Sequence, residues 1–233
     1  MVHAWLSVDG NPNESVRGLL RSLLEKGVVE AILAPAPSAG GESVTPTLFL
    51  KPDELSRAEP FAPLMPVSEA TAVSMLTRTG NPLKLGVVMR NCQIRALVEL
   101  VKFKQAQLDN LVIIGIDCPG TYELKDYSRM LQEGIDPASQ LLENLAGGKV
   151  EPVSGYSFRE ACRMCVYPIP DPSIAAVTVG LMGFDGEKLP LILQDDLADK
   201  LGLSADSPSA RREEAIRSLL EARKAEREKQ LSR

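Results

Sequence analysis

Histidine and cysteine, the residues that most often bind soft metals, are scarce in this sequence. Its 233 residues include one histidine, His3, and four cysteines. The cysteines are Cys92, Cys118, Cys162 and Cys165. Because thiolates are the ligands that zinc and iron–sulfur clusters select, this number allows one four-thiolate centre and excludes a second. In a reducing compartment, such cysteines are metal ligands or buried thiols more often than disulfides.

Other scarcities exclude further classes of protein. Aromatic residues make up 4% of the chain, too few to supply stacking platforms for bases or sugars. The net charge of −5 and the pI near 5.1 argue against a nucleic-acid partner, because phosphate contacts need a clustered basic face. The first residues lack a basic start followed by a long apolar run, so we expect neither a signal peptide nor a membrane span. We therefore expect a cytoplasmic protein.

The composition that is present predicts an α/β protein. Hydrophobic residues make up 44% of the chain, which is enough for a full core. We expect a single domain with a mixed sheet flanked by helices, over residues 1–205, and a charged C-terminal helical extension, over residues 206–233. Residues 211–233 carry eight basic and five acidic side chains. This pattern is typical of a solvated helix or of a helix that docks on a partner, and we predict a partner-docking element.

Helical and strand patterns alternate near the start of the chain. Apolar residues at three-and-four spacing predict an amphipathic helix over residues 14–26, ended by Gly27. A β-prone run follows over residues 28–34, and we expect Pro35 and Pro37 to end it. This order is the beginning of an α/β arrangement.

Two of the cysteines follow predicted buried strands, over residues 85–89 and 111–116. Asn91 is a good N-cap, so Cys92 is predicted in the first turn of a helix. Cys118 comes directly after the second strand and Asp117. Ligands of open α/β sheets bind outside the carboxyl ends of the strands, and we expect Cys92 and Cys118 at that edge. A helix N-terminus beneath Cys92 would stabilise an anionic cluster.

The other two cysteines form the motif Cys162-Arg163-Met164-Cys165, in which two intervening residues let both sulfurs face one point. Three interpretations remain open from the residues themselves. The cysteines are ligands of one metal centre, or buried small hydrophobes with a redox pair, or ligands of a structural zinc. Zinc sites with four thiolates usually take their ligands from two CxxC motifs, whereas Cys92 and Cys118 are 26 residues apart.

Read together, four motifs resemble the beta-subunit family of coenzyme F420-reducing hydrogenases and formate dehydrogenases. Their order and spacing agree with that family over residues 14–183. The motifs are Met89-Arg90-Asn91-Cys92-Gln93-Ile94, Gly115-Ile116-Asp117-Cys118, Arg159-Glu160-Ala161-Cys162-Arg163-Met164-Cys165 and Ala175-Ala176-Val177-Thr178-Val179-Gly180.

The resemblance implies an α/β fold that holds one [4Fe-4S] cluster on the four cysteines, next to a flavin (FAD) that exchanges electrons with a deazaflavin. The flavin pattern is altered in this chain. A Ser-Gly-Gly-like turn of the family is replaced by Pro12-Asn13-Glu14, where a carboxylate would oppose a flavin phosphate, and a family Asp is replaced by Ala176. We therefore expect a reduced family member that keeps the cluster and has lost or altered the flavin site.

This combination predicts an iron–sulfur electron-transfer subunit of a multi-subunit anaerobic redox complex, of hydrogenase, formate dehydrogenase or heterodisulfide reductase type. Its partners would be other redox subunits of a hetero-oligomeric complex, and it would contain no catalytic residue of its own. One alternative is a flavin-containing subunit that oxidises or reduces coenzyme F420 or a similar hydride carrier. The other alternative is an adaptor whose cysteines bind zinc or no metal.

Neighbouring side chains are expected to support the centre. The supporting residues that we predict are Asn91, Gln93, Asp117 and Arg159. Basic residues near the cysteines are either surface charge or groups that offset the negative charge of a cluster and raise its reduction potential. These residues are Arg90, Arg95, Arg159 and Arg163. Asp117 would act in the opposite direction.

Overall fold

A computed structural model describes residues 1–81 and 83–232 of the chain. Within these ranges the chain forms seven strands and eight α-helices. The strands are β1 (Val2–Ser7), β2 (Ala31–Pro37), β3 (Val44–Phe49), β4 (Leu85–Arg90), β5 (Leu111–Ile116), β6 (Val177–Val179) and β7 (Lys188–Leu193). The helices are α1 (Pro12–Glu25), α2 (Glu69–Thr77), α3 (Asn91–Lys102), α4 (Leu124–Gln132), α5 (Pro137–Ala146), α6 (Glu160–Arg163), α7 (Asp195–Leu201) and α8 (Ala210–Leu231).

The strands form one mixed sheet in the order β1-β7-β6-β5-β4-β2-β3. Its centre is parallel, because β2, β4, β5 and β6 pair with one another in that direction. Antiparallel pairs close both ends of the sheet. On one side β2 pairs with β3, and on the other β6 pairs with β7 and β7 with β1. The predicted α/β class, with a mixed sheet flanked by helices, is confirmed.

Both faces of the sheet are covered, which explains why the central strands are apolar without alternation. On one face, Val88 and Ile114 join a large core that also contains buried residues of α1, α4 and α5. On the other face, Val87 and Ile113 pack in a smaller core with residues of α2 and α3. In the described residues, no helix is both long enough and apolar enough to cross a bilayer.

Two predicted element boundaries near prolines and caps are wrong. The strand that we predicted over residues 28–34, ended by Pro35 and Pro37, extends from Ala31 to Pro37 as β2, so Pro35 does not end it. Pro35 lies opposite Pro46 of β3, and its carbonyl oxygen accepts from the Glu59 amide at 2.7 Å, away from β3. This is the orientation of a non-hydrogen-bonded pair, at which proline removes no bond of the antiparallel ladder. The N-cap of α3 is Arg90, not Asn91. Asn91 begins the helix, and its side chain amide donates to the Tyr167 carbonyl oxygen at 3.2 Å.

The C-terminal extension is a helix, α8, and one side of it packs on the sheet domain. Leu219 belongs to the large core, and Ile216 packs against that core. Arg212 and Arg223 are also buried. These residues follow one another at spacings of four, three and four, so they share one face of the helix. The remaining faces of α8 carry its exposed charged residues.

The loop after β6 fits closely against the start of α8 at Gly183. Its φ is +77°, and a Cβ there would lie 2.5 Å from the main-chain N and Cα of Arg212. We expect Gly183→Ala to lower the free energy of unfolding by about 2–5 kcal/mol, because backbone strain adds to overpacking. Urea unfolding measures this cost. Gly186→Ala is the matched control, since φ there is +96° but the nearest atom lies 3.9 Å away. Equal costs for the two variants would contradict the close packing of α8 on this loop.

Candidate four-cysteine centre

The register of the central strands brings Cys92 and Cys118 to neighbouring points on the carboxyl edge of the sheet. β4 and β5 are parallel, with Arg90 paired to Ile116 at their last residues. Each cysteine lies two residues beyond the end of its strand. Cys92 lies in the first turn of α3, as the sequence predicts. Cys118 begins the loop that follows β5 and Asp117.

The segment with the CxxC motif is held against the same edge by contacts on both sides of the cysteines. Ahead of them, the Arg159 amide donates to the Thr121 carbonyl oxygen at 2.8 Å. After them, the Cys118 amide donates to the Pro168 carbonyl oxygen at 2.8 Å. The Thr121 hydroxyl lies 3.2 Å from the Cys162 Sγ. Cys162 lies in the short helix α6, and Cys165 lies two residues after the end of that helix. All four cysteines are free thiols.

The thiols lie close enough to influence one another's charge. Burial is the main cause that raises the pKa of the Cys118 thiol to about 12, and the neighbouring thiols of Cys162 and Cys92 contribute to this rise. Cys92 is exposed at the surface, yet desolvation by the protein around it raises the pKa of its thiol, and the neighbouring Cys162 and Cys165 add to this effect. The guanidinium of Arg90 opposes the shift in both cases. A group that binds these thiolates must offset these costs of ionisation.

The donor set matches a four-thiolate metal group in type and number. In the part of the chain that the structure describes, however, no set of three or more histidine, cysteine or acidic side chains is arranged to hold a single metal ion. The convergence of the thiols therefore rests on the segments that carry them and on their mutual electrostatic effect. Cys92, Cys118, Cys162 and Cys165 are the residues that would hold an iron–sulfur cluster.

The arginines that the sequence placed near the cysteines have different environments. Arg90 is 6% exposed and donates to the Ala62 carbonyl oxygen, and it acts electrostatically on Cys92 and Cys118. The Arg95 guanidinium lies 4.4 Å from the centroid of the Tyr167 ring. Arg163 lies 3.7 Å from Glu226 of α8. Arg90 is thus the arginine of this group whose charge acts on the thiols of Cys92 and Cys118.

In the described part of the chain, the side chains of the predicted supporting residues contact groups other than the thiols, and they hold the cysteine-bearing segments in place. Asn91 ties α3 to the loop after the CxxC motif, as described above. The Gln93 side chain accepts from the Arg90 amide at 2.7 Å and donates to Glu69. The Arg159 side chain pairs with Glu123 at 3.2 Å. Each of these contacts holds the carboxyl edge of the sheet in place.

Asp117 is buried, at 1% exposure, and its charge is paired. Its carboxylate accepts from the amides of Leu181 and Met182 at 2.9 and 3.0 Å. The guanidinium of Arg212 also donates to both carboxylate oxygens, and its Nη2 lies 2.8 Å from Oδ1. The expectation that Asp117 adds negative charge at the centre overlooked this arginine, which neutralises it.

Sequence reasoning missed the contribution of α8 to the site. Arg223 is 5% exposed and donates to the carbonyl oxygens of Cys165, Cys118 and Pro119, at 3.2, 3.4 and 2.5 Å. In the sequence, Ile216, Leu219 and Leu220 form a narrow apolar stripe along this segment. Extending that stripe by one turn in each direction leads to Arg212 and Arg223, which is the signal that would have identified both residues.

The start of α1, where the resemblance implies a flavin, holds a cluster of charged side chains. Arg17 pairs with Glu14 and with Glu59, the latter at 2.7 Å. Asn13 is 5% exposed, donates to Glu59 at 3.3 Å and leaves its side-chain oxygen without a partner among the described residues. Burial raises the pKa of Glu59, while Arg17 opposes the rise. Carboxylates at this helix start do not fit a flavin phosphate.

The fold is shared with a subunit chain of a known redox complex. The chain is similar to a chain in the F420-reducing [NiFe] hydrogenase complex from Methanosarcina barkeri, with a TM-score of 0.65 and 14% sequence identity, over 100% of this chain and 91% of that chain. At this identity the likeness concerns the fold. No protein-family model matches the sequence.

Two curated proteins are also similar to this chain in sequence. The F420-dependent formate dehydrogenase 1 subunit beta from Methanococcus maripaludis is 27% identical over 198 residues, which are 77% of this chain and 50% of that protein. The F420-dependent formate dehydrogenase subunit beta from Methanocaldococcus jannaschii is 25% identical over 175 residues, which are 67% of this chain and 45% of that protein. The chain thus spans about half the length of the curated relatives that it matches. The resemblance to these beta subunits, first seen in the cysteine motifs, is confirmed.

Proposed function

We propose that this chain is an iron–sulfur electron-transfer subunit of a multi-subunit anaerobic redox complex, of hydrogenase, formate dehydrogenase or heterodisulfide reductase type. The observation that carries the proposal is the convergence of all four cysteines of the chain at one edge of the sheet. Cys92, Cys118, Cys162 and Cys165 would hold one [4Fe-4S] cluster. When bound, such a cluster supplies the uptake and release of one electron at a time.

The residues around the thiols support this role in three ways. The segments with Cys92 and Cys118 are fixed by the paired ends of β4 and β5. The CxxC segment is fixed to them by main-chain hydrogen bonds on both of its sides. Arg90 places a buried positive charge near Cys92 and Cys118, which offsets part of the cost of holding thiolates together.

An electron relay needs partner subunits, and α8 offers one surface for them. Its buried stripe packs on the sheet domain, while its other faces are exposed and charged. We therefore keep residues 206–233 as a partner-docking element, with the exposed faces of α8 as the contact surface. The partners would be other redox subunits, because a cluster without a substrate site acts by exchanging electrons with neighbouring centres.

A second candidate function is a flavin-containing subunit that acts on coenzyme F420. The names of both curated relatives favour it, because each is described as F420-dependent. The carboxylates of Glu14 and Glu59 at the start of α1 argue against it, since they oppose a flavin phosphate. Flavin content of the purified protein separates the two candidates.

The test is metal and flavin analysis of protein purified without oxygen, together with any subunits that purify with it. We expect about four iron atoms per chain and no flavin. Electron paramagnetic resonance (EPR) should detect a signal that appears on chemical reduction. Bound zinc, or a colourless protein without metal, would overturn the proposal and favour the adaptor alternative. Iron together with a stoichiometric flavin would favour the F420-dependent candidate.

A further inference from the structure

The position of α8 is fixed by an ion pair between its first turn and the end of β5. Arg212 and Asp117 are both buried and hydrogen-bonded. Asp117 directly precedes Cys118, so this pair attaches the helix to the segment that carries a cysteine. Eleven residues later, about 16 Å along the helix axis, the same face presents Arg223.

Arg223 bridges two of the cysteine segments. Its Nη1 donates to the Cys165 carbonyl oxygen at 3.2 Å, and its Nη2 donates to the Pro119 carbonyl oxygen at 2.5 Å. A longer contact of 3.4 Å reaches the Cys118 carbonyl oxygen. The guanidinium therefore lies where the loop after β5 meets the CxxC segment, on the side of the centre that α8 covers.

The charges of Arg212 and Arg223 are compensated differently. Arg212 faces the Asp117 carboxylate, which neutralises it. The hydrogen-bond partners of Arg223 in the described residues are neutral carbonyl oxygens. A buried charge is costly without an opposite charge nearby. Burial lowers the pKa of the Arg223 guanidinium, and the sulfur groups of Cys118, Cys165 and Cys162, when ionised, oppose this shift.

We propose that Arg223 is a positioning residue of the four-cysteine centre, in which its buried guanidinium supplies positive charge that raises the reduction potential of the bound cluster. This inference rests on the proposed function. Reduction adds one negative charge to a cluster, and a fixed positive charge nearby stabilises the reduced form more than the oxidised form. Arg90 acts from the end of β4. Arg223 acts from α8, which covers the loop after β5 and the CxxC segment.

The experiment compares midpoint potentials of iron-loaded proteins by redox titration followed by EPR. Arg223→Gln keeps a hydrogen-bond donor, now in a side-chain amide, and removes the positive charge. We expect it to shift the equilibrium between reduced and oxidised cluster at least tenfold toward the oxidised form, which is about 59 mV for one electron. Arg223→Lys keeps the charge, and we expect its equilibrium between reduced and oxidised cluster to lie within threefold of the wild-type value.

Arg217→Gln is the matched control, because Arg217 lies on the same helix, is exposed and pairs with Glu214. We expect it to leave the potential unchanged, since an exposed charge is screened by solvent. A purely structural role for Arg223 would change iron content or unfolding and leave the potential of the remaining clusters unchanged. Equal potentials for Arg223→Gln and the wild type would therefore overturn the inference.

Two further outcomes separate this inference from the proposed function. A wild-type protein without iron overturns the proposed function, and the charge role with it. If Arg223→Gln does not hold iron, the lysine variant decides. A loaded Arg223→Lys protein at the wild-type potential supports the charge role, and one that is shifted tenfold toward the oxidised form overturns it while the proposed function stands.

Discussion

Replacement of Cys118 by serine is expected to abolish cluster binding, with an iron content at least tenfold below that of the wild type. The chain has four cysteines, so each replacement leaves three thiolates for a centre that takes four. Burial raises the pKa of the Cys118 thiol to about 12, and a serine hydroxyl at this place would ionise even less readily. Its oxygen is also a hard ligand, whereas iron–sulfur clusters select soft thiolates. Iron analysis and the visible absorption of protein purified without oxygen measure the loss.

The control for this variant is Ala161→Ser, which introduces the same residue next to Cys162. Ala161 is exposed, and its replacement leaves all four thiols in place, so iron content should match the wild type. Unfolding of the metal-free proteins distinguishes loss of ligand from loss of fold, and Cys118→Ser should keep a cooperative transition. A Cys118→Ser protein with a full complement of iron would remove Cys118 from the ligand set and contradict the four-thiolate centre.

The parts of the site that follow from local patterns were predictable from the sequence. The apolar runs of β4 and β5 identify two buried strands, and parallel neighbours end at the same edge of a sheet. Cys92 and Cys118 follow those strands, so their shared edge can be predicted without coordinates. The order of the cysteine motifs then gave the family resemblance, which the curated relatives confirm.

The parts that depend on distant pairing were not predictable in the same way. β1 pairs with β7, with Val2 opposite Leu193, and nothing within the first residues indicates that partner. From the sequence, β1 was not predicted as a strand. Pro35 was expected, with Pro37, to end β2, but it pairs with Pro46 of β3 at a position where the ladder needs no N–H. In both cases the deciding residue lies elsewhere in the chain.

The contribution of α8 was hidden by its charge. Its arginines read as parts of a solvated helix, because Lys and Arg are seldom buried without a partner. The partners of Arg212 and Arg223 lie far earlier in the chain, at Asp117 and at the carbonyl oxygens of Cys118, Pro119 and Cys165. Burial of an arginine can be predicted from sequence only when its counterpart is known, and here the counterpart lies at the candidate centre itself.

The buried ion pair between Asp117 and Arg212 should contribute strongly to the stability of the protein. We expect Asp117→Ala to lower the free energy of unfolding of the metal-free protein by about 3–5 kcal/mol, because it leaves the buried Arg212 guanidinium without its counter-charge. The amides of Leu181 and Met182 also lose their acceptor, which adds to the cost. Urea unfolding gives the free energy, and hydrogen exchange along α8 should accelerate as its first turn separates from the sheet domain.

The exposed pair of Glu214 and Arg217 on the same helix is the control for this cost. Glu214→Ala should change the free energy of unfolding by about 1 kcal/mol or less, because an ion pair in solvent contributes little. The double variant Asp117→Leu with Arg212→Met should recover much of the stability lost in Asp117→Ala, since two apolar groups need no counter-charge. If Asp117→Ala cost as little as Glu214→Ala, the pair would not fix α8, and the placement of Arg223 over the cysteines would lose its anchor. A large cost that the double variant relieves would instead show that buried charge compensation is what attaches the helix to the centre.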